Sequence, residues 1–509
     1  MLKSTRFLKK ITKTVPVPTL TPTLLPFSAL LRGTASDLLD FGQPMWLTRA
    51  PGCVDIVGGI AEMPGSVSVS YATGRSVYSA IQNREDDKIN IRILRSGGEG
   101  GNLEFSADIS TIYTKKGPPR SFAVLEGIFE AADAPWMMEM MAVMIGLRRT
   151  HQLNTPKQGF SLVVWSRMPQ GGGFGGRIAF ATSVAIALRA STGQKLKSVD
   201  GIRVARAVRF GYKFVLNKDI SWTRALTSAV AQAGCFLSIE HGLDPIMQWV
   251  PVPEHTLVAA VDTGAGICQP GMTENSTIGA WMGLEHLNEA LRKVDLAPRG
   301  GWGQVTPAEF EGGLRNHVPT REKGKDWLAK YSKSATDSYY EGLVESIDEN
   351  NNYRDRAISE HHVRESGRAK RFLDFLEDYG RTKKEEALVD AGRAITSSHR
   401  SYMEKCGLKN EVIDDMRKSF SAAGRKSGLF GVRLSGGGQS GMMVTIGHST
   451  AMPALRKIAD AHATKHGGNG NIYHEIGQGG VLDGWWEGVL DAQEEDLDAV
   501  GKEDKTATK

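Results

Sequence analysis

Five glycines fall within six residues, at Gly171, Gly172, Gly173, Gly175 and Gly176, and Arg177 follows them directly. Glycine lets a backbone come close to a ligand and take φ > 0. The first N–H groups of a helix have no partner inside it, and the dipole there favours negative charge. With a fixed cation at the same point, this is a recipe for holding a phosphate. A tight turn that needs glycine only for packing is the plainer reading of the same residues. Gly171 and Gly176 have the spacing of a Walker loop, but Arg177-Ile178 stands where Lys-Ser/Thr is required.

The flanking elements must present that turn. Leu162-Val163-Val164-Trp165 is apolar and β-branched and predicts a buried strand. Ile178 to Ala190 is rich in Ala, Leu and Ile with no breaker and predicts a buried helix.

Composition limits the class. The 509 residues carry 23% charged and 40% hydrophobic side chains, which fits a globular chain of two or three domains. No apolar run approaches the length of a membrane span. A net charge of +5 makes no independent case for nucleic acid. The four cysteines, Cys53, Cys235, Cys268 and Cys406, are far apart, so neither zinc nor a disulfide framework is indicated. His462 and His466 share a predicted helix and are expected on its solvated face. No metal site is expected.

Residues 1–36 hold six basic side chains and no acid. Leu2, Phe7, Leu8 and Ile11 fit one helix face, so the segment resembles a mitochondrial presequence. An arm packed on the domain is the other reading. Residues 486–509 read as a charged tail.

Three stretches carry a resemblance. They are Arg49 to Ser66, RAPGCVDIVGGIAEMPGS; the glycine loop; and Leu429 to Gly441, LFGVRLSGGGQSG. In that order, with Val261-Asp262-Thr263-Gly264, Gly279 to Gly283 and Ala391 to Leu408 between them, they resemble the GHMP small-molecule kinases. The arabinokinase and galactokinase branch is the nearest in pattern. The resemblance covers about residues 40–485. It implies an α/β (α+β) fold of two domains, here 37–255 with the strand–glycine loop–helix unit and 256–485 ferredoxin-like. It also implies ATP phosphates on the glycine loop, Mg²⁺ held with a loop serine, a sugar held by the first and third motifs, and a helix-borne Asp at the hydroxyl that is phosphorylated.

This sequence departs from the family at three working parts. The family's Arg in the first motif is Cys53, and its sugar-binding Asp is Glu62, while Asp55 keeps its place. Gly175-Gly176 replaces the loop serines, and glycine offers no oxygen to a metal. The catalytic Asp aligns with Arg224, which cannot act as a base; Asp219 is the substitute acid if the alignment slips. Gly436, Gly437 and Gly438 keep the loop that covers the sugar. The resemblance therefore implies a sugar-kinase homologue that has lost phosphotransfer and serves as a binding or structural subunit of a larger assembly. An active ATP-dependent sugar 1-kinase is the alternative. ATP and Mg²⁺ are expected only if nucleotide binding is retained, and a small sugar only if the chain is active. Contact with nucleic acid is expected only inside a ribonucleoprotein. The expected location is mitochondrial, otherwise cytoplasmic.

Overall fold

The computed structural model describes residues 20–95, 101–115, 117–154, 156, 158–169, 172–194, 200–266, 271–331, 341–436, 440–475 and 477–491. Gly171, Gly437, Gly438, Cys268, residues 1–19 and residues 492–509 lie outside them.

The first half of the chain builds seven strands: β1 (Pro44–Val57), β2 (Val67–Asn83), β3 (Lys88–Arg95), β4 (Leu103–Asp108), β5 (Phe160–Ser166), β6 (Cys235–Glu240) and β7 (Ile246–Pro251). The second half adds β8 (Thr256–Asp262), β9 (Glu322–Lys323), β10 (Asn352–Tyr353), β11 (Leu429–Leu434), β12 (Met442–His448), β13 (Ile472–Tyr473) and β14 (Trp485–Val489).

The larger sheet runs β14-β1-β2-β5-β3-β4. β2 is 17 residues long and divides its edge: Val67–Tyr71 pairs with β6, and Val77–Asn83 pairs with β5. β1 is bulged against β2 between Pro51 and Cys53 and again between Asp55 and Val57. A bulge bends the strand and re-aims the side chains beside it, and here two bulges bracket Cys53 and Asp55. The helices Met137–Arg149, Gly176–Ser191 and Gly201–Leu216 bury a shared core with this sheet. The predicted strand and helix flanking the glycines are β5 and Gly176–Ser191.

Two boundaries expected from composition move. Leu24, Phe27, Leu31 and Ala35, placed in a basic extension, are fully buried, and Phe27 stacks on Trp165. The helix Leu25–Thr34 packs because these apolar positions share one face. Residues 486–489, placed in the tail, belong to β14, which pairs antiparallel with β1 and buries Trp486.

The smaller sheet is antiparallel with order β11-β12-β8-β13. The helices Asp355–Thr382 and Glu385–Lys405 join the two sheets. Their Phe372, Leu376, Leu388 and Ile395 share one core with Val57, Val69 and Phe236 of the first sheet and Val444 and Ile446 of the second. Asp55 and the end of β11 meet at this seam. Among the described residues, no helix is long and apolar enough to cross a membrane.

Candidate functional site

The glycine turn has the backbone its sequence demands. Gly172, Gly173 and Gly175 have φ of 86°, 93° and 68°, and Gly175 caps the helix Gly176–Ser191 in the left-handed region. Its surroundings are closer than an open cradle would require. A Cβ on Gly173 would lie 2.7 Å from both Met442 Cβ and Ser440 Oγ. Phe174 is buried, and its carbonyl accepts the Cys53 N–H at 2.9 Å. Arg177 turns to Glu139, 2.8 Å away, with half its side chain exposed. The glycines thus serve close packing against β1 and β12 as well as the helix N-terminus.

Arg224 stands behind the turn, on the helix Trp222–Val230. Its Nε and Nη2 both donate to Asp55 Oδ2, at 3.2 and 2.9 Å. The Asp55 side chain is 2% exposed and that of Arg224 16%. Burial opposes the charged guanidinium, but the Asp55 carboxylate, with Cys53 and Glu62 nearby, holds its pKa above the ordinary arginine value. Asp55 is fixed from behind: its N–H donates to Ser435 Oγ at 2.9 Å, and its carbonyl accepts from Arg433 Nη1 at 3.4 Å.

Gly436 lies directly over this pair. A Cβ there would be 2.2 Å from Arg224 Nη2 and 3.0 Å from Asp55 Oδ2, and the residue has φ +64°. Gly436, the first glycine of the Gly436-Gly437-Gly438 run, therefore closes on the guanidinium.

The sequence-predicted residues separate into two groups. Cys53, Asp55, Arg224, Gly175 and Gly436 come together. Cys53 is buried, which pushes its thiol up to about 12 despite the cation of Arg224, so it stays protonated at neutral pH. Glu62 is turned to the helix N-terminus. Its carboxylate accepts the Trp222 and Thr223 N–H groups at 2.7 and 3.1 Å and the Ser221 hydroxyl. That places a negative charge where the helix dipole favours it. Asp219 is 70% exposed and pairs with Lys213 at 3.0 Å. His462, expected on a solvated face, is buried, and His466 reaches Asp415 at 3.0 Å.

Sequence reasoning missed the support beneath the site. Glu365 and Arg433 are fully buried side chains. Glu365 accepts the Gly58 N–H, the Arg368 guanidinium and the Ser398 hydroxyl. Burial alone would raise its carboxyl, but His361, Arg368 and Arg433 hold it below the usual carboxylate range. A charged Arg433 inside the apolar run LFGVRL was the available signal.

The side chains facing the turn are those of Arg224, Cys53 and Ser440, with the apolar stems of Met168 and Met442. Mg²⁺ takes carboxylate and water oxygens. The two carboxylates of the cluster, Asp55 and Glu62, are engaged by Arg224 and by the helix N-terminus. Asp55 Oδ1 is left without a hydrogen-bond partner, but the permanent cation of Arg224 beside it makes this set suit an anion better than a divalent cation.

No family model matches the chain. The galactokinase of Lactococcus lactis, solved with galactose, superposes with a TM-score of 0.65, covering 89% of this chain and 99% of that one at 14% identity. The fold is that of the GHMP kinases. The larger sheet with its glycine turn forms the N-terminal part, and the smaller sheet is the ferredoxin-like C-terminal part. In sequence, the L-arabinokinase of Arabidopsis thaliana is 21% identical over 483 residues. The match covers 82% of this chain but only 44% of that relative, so the chain spans less than half its length.

Proposed function

We propose that this chain is a GHMP sugar-kinase homologue, of the arabinokinase and galactokinase branch, that has lost phosphotransfer and serves as a binding or structural subunit of a larger assembly. The observation that carries the reading is the buried Arg224–Asp55 pair. Phosphoryl transfer in this fold rests on positioning, on a metal at the phosphates and on a carboxylate at the acceptor hydroxyl. At the carboxylate's aligned position stands a permanent cation, and it occupies the acid retained from the first motif. Glu62 and Asp219 have other partners. A loop serine is replaced by glycine, and the carboxylates of Asp55 and Glu62 are bound to Arg224 and to a helix N-terminus. Three working parts are altered together, and loss of one alone typically costs orders of magnitude in rate.

The alternative is an active sugar 1-kinase, and the likeness to an L-arabinokinase over 483 residues favours it. It requires the Asp55 carboxylate to leave Arg224 for substrate. The basic, acid-free segment at residues 1–36 supports delivery to mitochondria, where the assembly would be found; RNA contact enters only if that assembly is a ribonucleoprotein.

Sedimentation of the native protein through a density gradient, with calorimetry against Mg–ATP, tests the proposal. A subunit migrates far ahead of its own 55.3 kDa and gives no Mg²⁺-dependent heat. A free 55 kDa species that binds Mg–ATP overturns the reading.

A further inference from the structure

A second cluster lies away from the Arg224 site. His286 is on the helix Met272–Arg292, Glu322 is in β9, and Asp355 opens the helix Asp355–Thr382. One ligand-type atom from each lies within 4.8 Å of the other two. The side chains of His286 and Glu322 are 9% and 15% exposed, and Asp355 is fully buried.

The hydrogen bonds decide the state of the imidazole. Glu289 is salt-bridged to Lys293 and Lys330, both at 2.7 Å, so it is an acceptor only. The Tyr331 hydroxyl donates to Glu289. Its oxygen then accepts from His286 Nδ1, 3.0 Å away. With the proton on Nδ1, the Nε2 lone pair faces Glu322 Oε2 at 2.6 Å. Two acceptors at that distance need a proton or a cation between them. A proton would satisfy that pair but leave Asp355, both of whose carboxylate oxygens are buried with no hydrogen-bond partner. A buried carboxylate without a partner is costly and, absent an ion, must take up a proton of its own. One divalent ion answers both demands, because two carboxylates and a neutral imidazole carry a charge of two.

We propose that His286, Glu322 and Asp355 form a site for a divalent transition metal, with Zn²⁺ or Mn²⁺ the matching chemistry. An imidazole nitrogen with carboxylate oxygens suits these ions better than Mg²⁺ or Ca²⁺. The chain Glu289–Tyr331–His286 supplies the outer support that orients metal-binding histidines. The three ligands come from the two ends and the middle of the excursion between the helices Met272–Arg292 and Asp355–Thr382. The ion would therefore clamp that excursion, including the antiparallel pair β9 and β10, to the ferredoxin-like part. Its role is structural and independent of the phosphotransfer question.

The test uses the full chain, stripped with a chelator and dialysed, then titrated with Zn²⁺ or Mn²⁺ against a competing indicator. One equivalent binds, and the melting temperature rises with the ion. Glu322→Gln and Asp355→Asn each weaken binding at least a hundredfold. Tyr331→Phe, which frees the histidine tautomer, weakens it about tenfold. Co²⁺ absorption of the wild type gives the ligand environment without any variant, should Asp355→Asn fail to fold. Failure of the stripped wild type to bind one equivalent overturns the proposal and leaves a histidine–glutamate pair. So does binding that is unchanged in Glu322→Gln, which places the ion elsewhere.

Discussion

Replacing Arg224 by methionine keeps most of the side chain's volume and removes its charge. Asp55 is then a carboxylate with a side chain 2% exposed and no cation. Two unit charges about 4 Å apart interact by about 4 kcal/mol at an effective dielectric of 20. Removing one partner of a buried pair is observed to cost about 3–5 kcal/mol. Arg224→Met should therefore destabilise the chain by about 4 kcal/mol at pH 7. Asp55→Asn in the same chain restores a neutral site, so the double variant should lie well above the sum of the singles, with a coupling of about 3 kcal/mol. Urea unfolding of the wild type, both singles and the double at pH 7 measures this. Effects that add to within about 0.5 kcal/mol would refute the buried pair.

Two other outcomes follow from the same geometry. Gly173→Ala must place a methyl group 2.7 Å from Met442 Cβ and Ser440 Oγ at φ +93°, for a loss of about 2–3 kcal/mol. At Gly172 the first contact is at 3.6 Å, so only the backbone cost of about 1–2 kcal/mol remains; equal losses in urea would count against the closed turn. His399 is buried, and burial, aided by Arg433 and Arg417, lowers its pKa to about 3. Between that value and its unfolded value near 6.5 only the unfolded chain takes the proton, so its contribution to stability falls as pH falls. His399→Asn removes this term and should gain on the wild type by up to about 1.4 kcal/mol per pH unit between pH 6 and 4. Parallel stability curves for the two would show that His399 is not held neutral.

The elements that frame the glycines were legible because their signals are local. The apolar run Leu162 to Trp165 and the Ala-rich stretch from Ile178 each declare their own period. Partnerships were not legible, because they join distant residues. Arg224 meets Asp55 across 169 positions, and nothing near either one reveals the other. The alignment exposed Arg224 as a misplaced cation; only the fold exposed where its charge goes. Glu62 read as a sugar ligand because its motif places it there, yet a helix N-terminus 160 residues on claims both its oxygens. His286, Glu322 and Asp355 fit no short spacing rule, since each comes from a different segment. The helix Leu25–Thr34 was obscured by the basic composition around it, although Phe27 and Leu31 are core residues.

The central claim is that this kinase fold no longer transfers phosphate. Purified full-length chain with Mg²⁺ and γ-labelled ATP, offered a panel of monosaccharides including L-arabinose and D-galactose, measures it directly. The account predicts label transfer no faster than in buffer. Sugar phosphate that accumulates in proportion to protein, at a specific activity constant through purification, would contradict it.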